Sequence, residues 1–308
     1  MDRSPWMDVD WSAHQRWVEV AGRPVNVIEL GSGPPILFVH GHSGAWQNWL
    51  EQLPGLAGRH RVIAVDLPGF GSSPMPIEPV SMSLYARICD GLLDAMGVGA
   101  ATVVGNSMGG FVGAEMAIQM PARVERLALV SAAGVAKSYM GSPTWFMSRY
   151  SERVLRLLSP LLIAPDKRVR RMVRRPRMRS ASLKMVAAHP EELSPAIIWE
   201  MLVRSGRKPA APAAAAAIAD YDFRDRLPDI ACPTLIVWGA NDRVVPPSSA
   251  DEFERLIGDT RKVVFEDTGH VPMIERPERF NRLLDDFLAE RPNEDVDETS
   301  EAASEAAA

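Results

Sequence analysis

The chain of 308 residues lacks several features that would place it in a specialised class of proteins. It has only two cysteines, Cys89 and Cys232, which are too few for a disulfide framework or a four-ligand metal site. Its 34 Lys and Arg residues are fewer than its 39 Asp and Glu residues, so we expect no nucleic-acid partner. No apolar run reaches the ~20 residues that span a bilayer, and the polar N-terminus lacks the apolar centre of a secretory signal. We therefore expect a cytoplasmic protein.

Motifs for nucleotides and metals are missing as well. No Walker loop is present, and no dinucleotide fingerprint follows an apolar run that predicts a strand. No group of His and Cys residues has the spacing of a metal site. We therefore expect the protein to work without a cofactor and without a metal ion.

The net charge of −5 comes from one end of the chain. Residues 291–308 hold one Arg against six acidic side chains, so the rest of the chain sums to zero. This segment is rich in Ala, Ser and Glu and has little apolar bulk, and we predict a disordered acidic tail over 291–308.

The remaining sequence alternates short β-branched apolar runs with longer helix-like segments, which is typical of an α/β protein with a mostly parallel sheet. Runs 17–22 and 24–30 alternate in polarity and predict an antiparallel hairpin. Six further runs are apolar throughout and predict strands buried on both faces, giving about eight strands with helices on both sides of the sheet. These six runs are 35–40, 61–67, 101–105, 126–131, 233–239 and 261–267.

The alternation stops after the sixth strand. Between Val130 and Cys232 the sequence is rich in Met, Leu, Ala and Arg in helix-like stretches, without a clear strand. We predict a helical cap inserted there. The expected organisation is a first core part over 1–134, the cap over 135–225, a second core part over 226–290, and then the tail.

A serine with small neighbours stands between a predicted strand and a predicted helix. The segment Gly105-Asn106-Ser107-Met108-Gly109-Gly110 follows the strand ATVVG and opens the helical stretch FVGAEMAIQM. A serine hydroxyl is a weak nucleophile and must project from the sheet to be reached by a base. A tight turn achieves this with a strained backbone, which requires small residues two positions to either side.

This segment resembles the nucleophile elbow of the α/β-hydrolase family, and four other motifs match that family in order. The resemblance extends from about Arg16 to Leu288. The matching segments are HGHSG (40–44), DLPGFGSS (66–73), WGANDRVVP around Asp242 and DTGHVPMIERP around His270.

The resemblance implies a role for each motif. Ser107 corresponds to the nucleophile, His270 to the base and Asp242 to the acid that orients the base. The backbone N–H groups of His42 and Met108 correspond to the oxyanion hole. For the base, His40 is an alternative that we expect to order its own loop by hydrogen bonding. For the acid, the alternatives are Asp229, Asp267 and Glu266, of which Asp267 suits a cap of the loop. We expect Asp66 to fix the structure of its loop.

The predicted substrate pocket contains Gly41, Trp46, Trp145 and Val271. Gly41 allows the backbone to approach the substrate, whereas Trp46 and Trp145 suit either an apolar acyl pocket or ordinary core packing. The resemblance implies cleavage of carboxylic esters with small-to-medium apolar acyl groups, and the partner is then a small-molecule ester.

Two alternatives stay open. The elbow is also similar to that of carbon–carbon bond hydrolases of vinylogous diketones, although those enzymes carry Trp after the histidine, where Val271 stands here. The chain could instead be a non-catalytic member that binds a ligand or a lipid surface. The basic segment 167–179 is read as a solvated helix face, as an attractor of anionic substrates, or as a weak contact with an acidic membrane. The sequence does not determine the oligomeric state.

Overall fold

The computed structural model describes residues 4–42, 44–135, 166–206 and 208–290. One eight-stranded sheet runs through the protein, in the spatial order β1-β2-β4-β3-β5-β6-β7-β8. The strands are β1 (Gln15–Val20), β2 (Arg23–Leu30), β3 (Pro35–Val39), β4 (Arg61–Val65), β5 (Ala101–Asn106), β6 (Val124–Val130), β7 (Thr234–Gly239) and β8 (Thr260–Phe265).

The predicted mostly parallel sheet is confirmed. β1 and β2 form an antiparallel hairpin, β2 pairs antiparallel with β4, and all later pairs are parallel. β5 and β7 are buried at every position, as expected for strands covered by helices on both faces. The expectation was wrong for β8, in which only Phe265 is buried. β8 ends the sheet, with Arg261 exposed and Lys262 half-buried.

The helices cover both faces of the sheet and enclose two apolar clusters, one on each side. Long helices follow β4, β5, β7 and β8, as the alternation of apolar runs with helix-like segments predicts. The helices are α1 (Trp11–His14), α2 (Leu53–Leu56), α3 (Met82–Ala95), α4 (Met108–Gln119), α5 (Asp166–Arg174), α6 (Pro176–Leu183), α7 (Pro195–Trp199), α8 (Ala211–Ala219), α9 (Ser248–Leu256), α10 (Pro272–Glu275) and α11 (Pro277–Ala289).

The chain between β6 and β7 contributes α5 to α8 and a π-helical turn at Glu200–Arg204. No strand of the sheet lies in the described residues of this insertion, which agrees with a helical cap after the sixth strand. α5 turns Val173 towards the apolar interior and Arg171 and Arg174 towards solvent. None of the helices in the described residues is both long and apolar enough to cross a membrane.

One residue of the basic segment 167–179 does not belong to its solvent face. Arg179 is buried and donates to the backbone carbonyls of Val173, Pro190 and Glu191. The guanidinium thereby satisfies carbonyl groups at the end of α5 and in the loop after α6. The sequence indicated a cation at this position, but helical spacing alone did not distinguish a packing Arg from a solvated one.

Candidate active site

The loops that carry the motifs lie at one edge of the sheet. β3, β5, β7 and β8 run parallel, so the residues that follow them emerge at their shared carboxyl ends. Crevices at this edge are where open α/β sheets bind ligands. Gly41 follows β3, Ser107 follows β5, Asp242 follows β7 and His270 follows β8.

Ser107 occupies a strained turn at the head of α4. Its φ of +54° and ψ of −116° lie outside the regions that a non-glycine residue ordinarily adopts. Its N–H donates to the Val130 carbonyl, and its own carbonyl accepts from Phe111 and Ala133. These three backbone bonds hold the turn in place.

The two glycines flanking Ser107 permit this close packing. A Cβ added to Gly105 would lie 2.2 Å from the Gly109 carbonyl oxygen, and one added to Gly109 would lie 2.0 Å from the Val39 carbonyl oxygen. Both distances are far shorter than any real carbon–oxygen contact. The spacing G-x-S-x-G is therefore a steric requirement of this turn.

The loop after β3 lies against the nucleophile turn. A Cβ on Gly41 would stand 3.3 Å from the Ser107 Cβ, which places this backbone in direct contact with the serine. Met108 is the first residue of α4, so its N–H belongs to the first turn and has no acceptor within the helix. His42 is the next residue after Gly41, and its Nε2 lies 2.6 Å from the Ala211 carbonyl oxygen.

His270 and Asp242 form a buried hydrogen-bonded pair. The His270 Nδ1 lies 2.8 Å from the Asp242 Oδ2, with 7% and 0% of the two side chains exposed. The other carboxylate oxygen accepts from the N–H groups of Val244 and Val245, which fixes the carboxyl plane. A carboxylate accepts only, so this contact places a proton on the His270 Nδ1 and leaves Nε2 as the ring nitrogen not bonded to Asp242.

The side chain of the residue before Ser107 connects the strained serine turn to the loop around His270. This loop, residues 269–271, is called the histidine loop below. Asn106 donates through Nδ2 to the carbonyl oxygens of Val130 and His270, at 3.0 and 3.3 Å. Asn106 is 2% exposed. The structure thus brings the segments of Ser107, His270 and Asp242 together around one amide and one carboxylate.

The alternative acids and bases have structural roles. His40 is fully buried, accepts from the Leu67 N–H at Nε2 and donates from Nδ1 to the Gly41 carbonyl. Burial lowers the pKa of His40 to about 4, so the imidazole is neutral at pH 7. Asp229 is exposed, and Asp267 is the residue with a φ of +48° in the turn before His270.

Asp66 organises the loops around the site. Its carboxylate accepts from the N–H groups of Trp46 and Ser72 and from the amide of Asn26. Burial raises the pKa of Asp66, which these hydrogen bonds oppose. Lys208 from the cap adds a nearby positive charge, and burial lowers the pKa of its ammonium group. The carboxyl group of Asp66 therefore serves to hold loops together.

The predicted pocket residues have different surroundings. Trp46 is 9% exposed, and its ring centroid lies 5.0 Å from that of Trp11, so it contributes to the packing beneath the N-terminus. Val271 is buried in the same apolar cluster as Trp46. Trp145 lies outside the described residues. Within those residues, no group of three or more His, Cys, Asp or Glu side chains is placed to hold a metal ion.

Comparison with known proteins identifies the family. Residues 34–277 match the family model of the alpha/beta hydrolase fold. The chain belongs to the α/β-hydrolase fold family. This segment contains each motif discussed above, from the loop after β3 to the segment around His270.

Three relatives show the range of chemistry in the family. The acetyltransferase component of an acetoin cleaving system from Cupriavidus necator is 33% identical over 91% of this chain and 70% of its own length. A 2-hydroxy-6-oxo-6-phenylhexa-2,4-dienoate hydrolase from Comamonas testosteroni is 30% identical over 85% of this chain and 90% of its own. A thermophilic esterase from Thermogutta terrifontis has a similar structure, with a TM-score of 0.68, 27% identity, and coverage of 89% and 97%.

One residue near the site of this α/β hydrolase was not singled out from the sequence. Glu275 is 7% exposed and lies five residues after His270, at the end of α10. Its carboxylate accepts from backbone N–H groups on both sides of His270. An acidic residue just before Arg276 and Pro277 reads as an ordinary surface position, and only the folded chain shows that it is buried.

Proposed function

We propose that this α/β hydrolase cleaves carboxylic esters with small-to-medium apolar acyl groups through an acyl-enzyme on Ser107. The observation that carries the proposal is the buried His270–Asp242 pair, which Asn106 connects to the strained turn of Ser107. The chain order Ser107, Asp242, His270 is the one expected for the nucleophile, acid and base of this family, which supports the proposal.

The proposed reaction proceeds in two halves. The Ser107 Oγ attacks the ester carbonyl carbon while the His270 Nε2 takes its proton, and the same proton then passes to the departing alkoxide. Water attacks the acyl-enzyme in the second half, giving one proton to His270, which returns it to Ser107 as the acid leaves. Asp242 stays ionised and stabilises the imidazolium in both halves.

The oxyanion of each tetrahedral intermediate needs two converging donors. We assign the backbone N–H groups of Met108 and His42 to this role, because both segments border Ser107. Loss of one such donor in other enzymes costs about 3–4 kcal/mol of transition-state stabilisation. Gly41, Trp46, Trp145 and Val271 remain the proposed pocket residues, and the apolar surroundings of Trp46 and Val271 favour an apolar acyl group.

Replacement of the nucleophile tests the proposal. Ser107→Ala should abolish p-nitrophenyl ester turnover and labelling by a fluorophosphonate probe, with an unchanged Tm. Ser131→Ala is the matched control, because the Ser131 hydroxyl is buried near the turn without a hydrogen-bond partner in the described part of the chain. Ester turnover retained by Ser107→Ala would contradict the assignment of the nucleophile.

Carbon–carbon bond hydrolysis is the second candidate. The dienoate hydrolase of Comamonas testosteroni favours it, with its 30% identity over most of both chains. Val271, in place of Trp, favours the ester. Purified protein should be assayed with a chain-length series of esters, with lactone and amide controls and with a vinylogous diketone. A higher kcat/KM for the diketone than for every ester would reverse the order of the two candidates.

A non-catalytic role as a binding module is the third reading. Failure of the well-folded protein to react with the fluorophosphonate probe would favour it. We also propose weak contact of the basic segment 167–179 with an acidic membrane surface, since Arg170, Arg171, Arg174, Arg175 and Arg177 are exposed. The cytoplasm remains the proposed compartment, which cell fractionation can test.

A further inference from the structure

The carboxylate of Glu275 is bonded to two different parts of the molecule. Its Oε1 accepts from the N–H groups of Gly269 and Val271 at 2.9 and 3.4 Å, the two residues that flank His270. Its Oε2 accepts from the N–H of Ala188 at 2.7 Å, which belongs to the cap. One side chain therefore bridges the histidine loop and the loop after α6.

The same two loops also touch directly. The backbone N–H of His270 donates to the Val186 carbonyl oxygen at 2.7 Å. Gly269 packs so closely that a Cβ there would lie 2.8 Å from the Ala188 nitrogen and from the Val186 carbonyl oxygen. The cap segment 186–188 thus touches the loop 269–271 directly at Gly269 and His270.

Burial of the Glu275 carboxylate costs folding free energy unless its hydrogen bonds are formed. Burial raises the pKa of its carboxyl group, and the three N–H donors and the neighbouring Arg276 oppose that rise. Charge-assisted bonds from N–H groups to a carboxylate are shorter and stronger than neutral ones. A buried carboxylate with three backbone donors fixes those donors in space, in the way that Asp242 is fixed by Val244 and Val245.

We propose that Glu275 is a positioning residue that holds His270 in its reactive orientation by tying the loop 269–271 to the cap segment 186–188. The proposal rests on the proposed role of His270 as the base. Loss of the Glu275 carboxylate would leave the N–H groups of Gly269, Val271 and Ala188 without their acceptor, and the backbone that carries the imidazole would then be held less firmly.

The test compares Glu275→Gln with a matched control from the same groove. Glu275 and Glu192 both line a groove of about 460 Å³ between cap and core. The Glu192 carboxylate lies 3.7 Å from the Arg276 guanidinium, and the side chain is 60% exposed. Glu192→Gln therefore removes an equal charge from the groove without touching the histidine loop. The amide of Glu275→Gln turns an NH₂ group towards one of the backbone donors and loses that bond.

We expect Glu275→Gln to lower kcat and the rate of fluorophosphonate labelling about 10- to 100-fold, with little change in KM, because misplacement of a base by ~1 Å costs up to about 10²-fold. Glu275→Asp keeps the charge but is too short to reach both loops, so its rate should be intermediate. Glu192→Gln should keep the wild-type rates. A Glu275→Gln protein that labels at the wild-type rate would overturn the proposal, as would a loss that matches the unfolded fraction.

A spectroscopic readout separates this proposal from the proposed function. The His270 Nδ1 proton, bonded to Asp242, should give a downfield proton resonance in the wild-type protein. We expect Glu275→Gln to shift or broaden it, whatever reaction Ser107 performs, and Glu192→Gln to leave it in place. An unchanged resonance in Glu275→Gln would refute the positioning role. Absence of probe labelling in the wild type, with the resonance still sensitive to Glu275, would refute only the proposed reaction.

Discussion

Single residues around Ser107 are constrained by contacts with backbone atoms. A backbone carbonyl cannot rotate away as a side chain can, so an added methyl group at Gly109 has to displace β3 or α4. The Cβ of Gly109→Ala would lie 2.0 Å from the Val39 oxygen and 2.7 Å from the His40 oxygen. Small residues at these positions thus serve the turn directly.

We expect Gly109→Ala to lower the free energy of unfolding by about 3 kcal/mol, the upper part of the usual cost of overpacking. Gly113→Ala, in the same helix, is the control. Its Cβ would meet only the ends of the Leu127 and Val103 side chains at 3.0 and 3.1 Å, and alanine favours the helix. Urea unfolding measures both, and equal stability of the two variants would contradict the steric account.

The neutral imidazole of His40 predicts a pH dependence of stability. The pKa of His40 is about 4 in the folded protein, whereas the ordinary value for histidine is 6.5. Between these pH values the unfolded chain therefore binds one more proton than the folded protein. The free energy of unfolding should therefore be highest above pH 6.5 and fall by about 3 kcal/mol as the pH decreases towards 4.

His40→Gln keeps an acceptor for the Leu67 N–H but does not titrate. We expect its stability to be lower than that of the wild type at pH 7 and to depend less steeply on pH between 6.5 and 4. Urea unfolding at several pH values gives both slopes. Parallel slopes for the two proteins would rule out His40 as the source of the dependence.

At the scale of elements, the cap helices depend on polar anchors as much as on apolar packing. α5 buries Val173 and turns Arg171 and Arg174 outward, a division that its 3.6-residue period predicts. Arg179 of α6 donates to the Val173 carbonyl near the end of α5 and to the Glu191 carbonyl in the loop that follows α6. The same loop contains segment 186–188, whose Val186 carbonyl accepts from the N–H of His270.

We expect Arg179→Met to destabilise the protein by about 2–3 kcal/mol, because it retains the apolar stem but leaves buried carbonyl groups without donors. Arg177→Met is the matched control, since Arg177 is exposed on the same helix. Thermal unfolding and urea unfolding should both separate the two variants. A stability loss shared by both would point to the helix surface as its cause.

At the scale of the whole molecule, the cap contacts the core through polar groups at several points. Glu115 of α4 is fully buried and accepts from the Tyr221 hydroxyl at 2.8 Å and from the Arg226 guanidinium at 3.0 Å. On the other side, Gly71 and Gly206 form an isolated parallel bridge, and His42 bonds to Ala211. The cap therefore reaches both the loop of the proposed oxyanion donor and the loop of the proposed base.

The proposed membrane contact can be tested by removing positive charges from the cap and, separately, from other surfaces of the molecule. Replacement of Arg171, Arg174 and Arg177 by Gln should weaken binding to vesicles with acidic lipids about 10²-fold, at about 1 kcal/mol for each Arg near the surface. The control removes the same charge from Arg23, Arg255 and Arg282, which are exposed elsewhere. Vesicle co-sedimentation at low and high salt measures both, and equal effects of the two triple variants would refute a contact through the cap.

Much of the fold was predictable because its local signals are strong. Apolar β-branched runs and helical periodicity predicted all eight strands and the four long helices of the core. The burial of β8 was predicted wrongly because an edge strand and a central strand can contain similar apolar runs. The position of the strand in the sheet decides which of its faces are covered. The domain boundaries and the roles of Ser107, Asp242, His270, His42 and Met108 stay predictions until the variants are measured.

The order of the residues along the chain was sufficient to indicate an α/β sheet, a cap after the sixth strand and a serine in a glycine-flanked turn, since each follows from periodicity or local sterics. Folding was needed to reveal that Glu275 is buried, that Asn106 reaches His270 and that Arg179 faces inward. The carbonyl partners of Arg179 lie only 6 to 12 residues away in the chain, but Ala188 is 87 residues from Glu275 and His270 is 164 residues from Asn106. Contacts over such distances depend on how the sheet brings its loops together, and no local pattern encodes them.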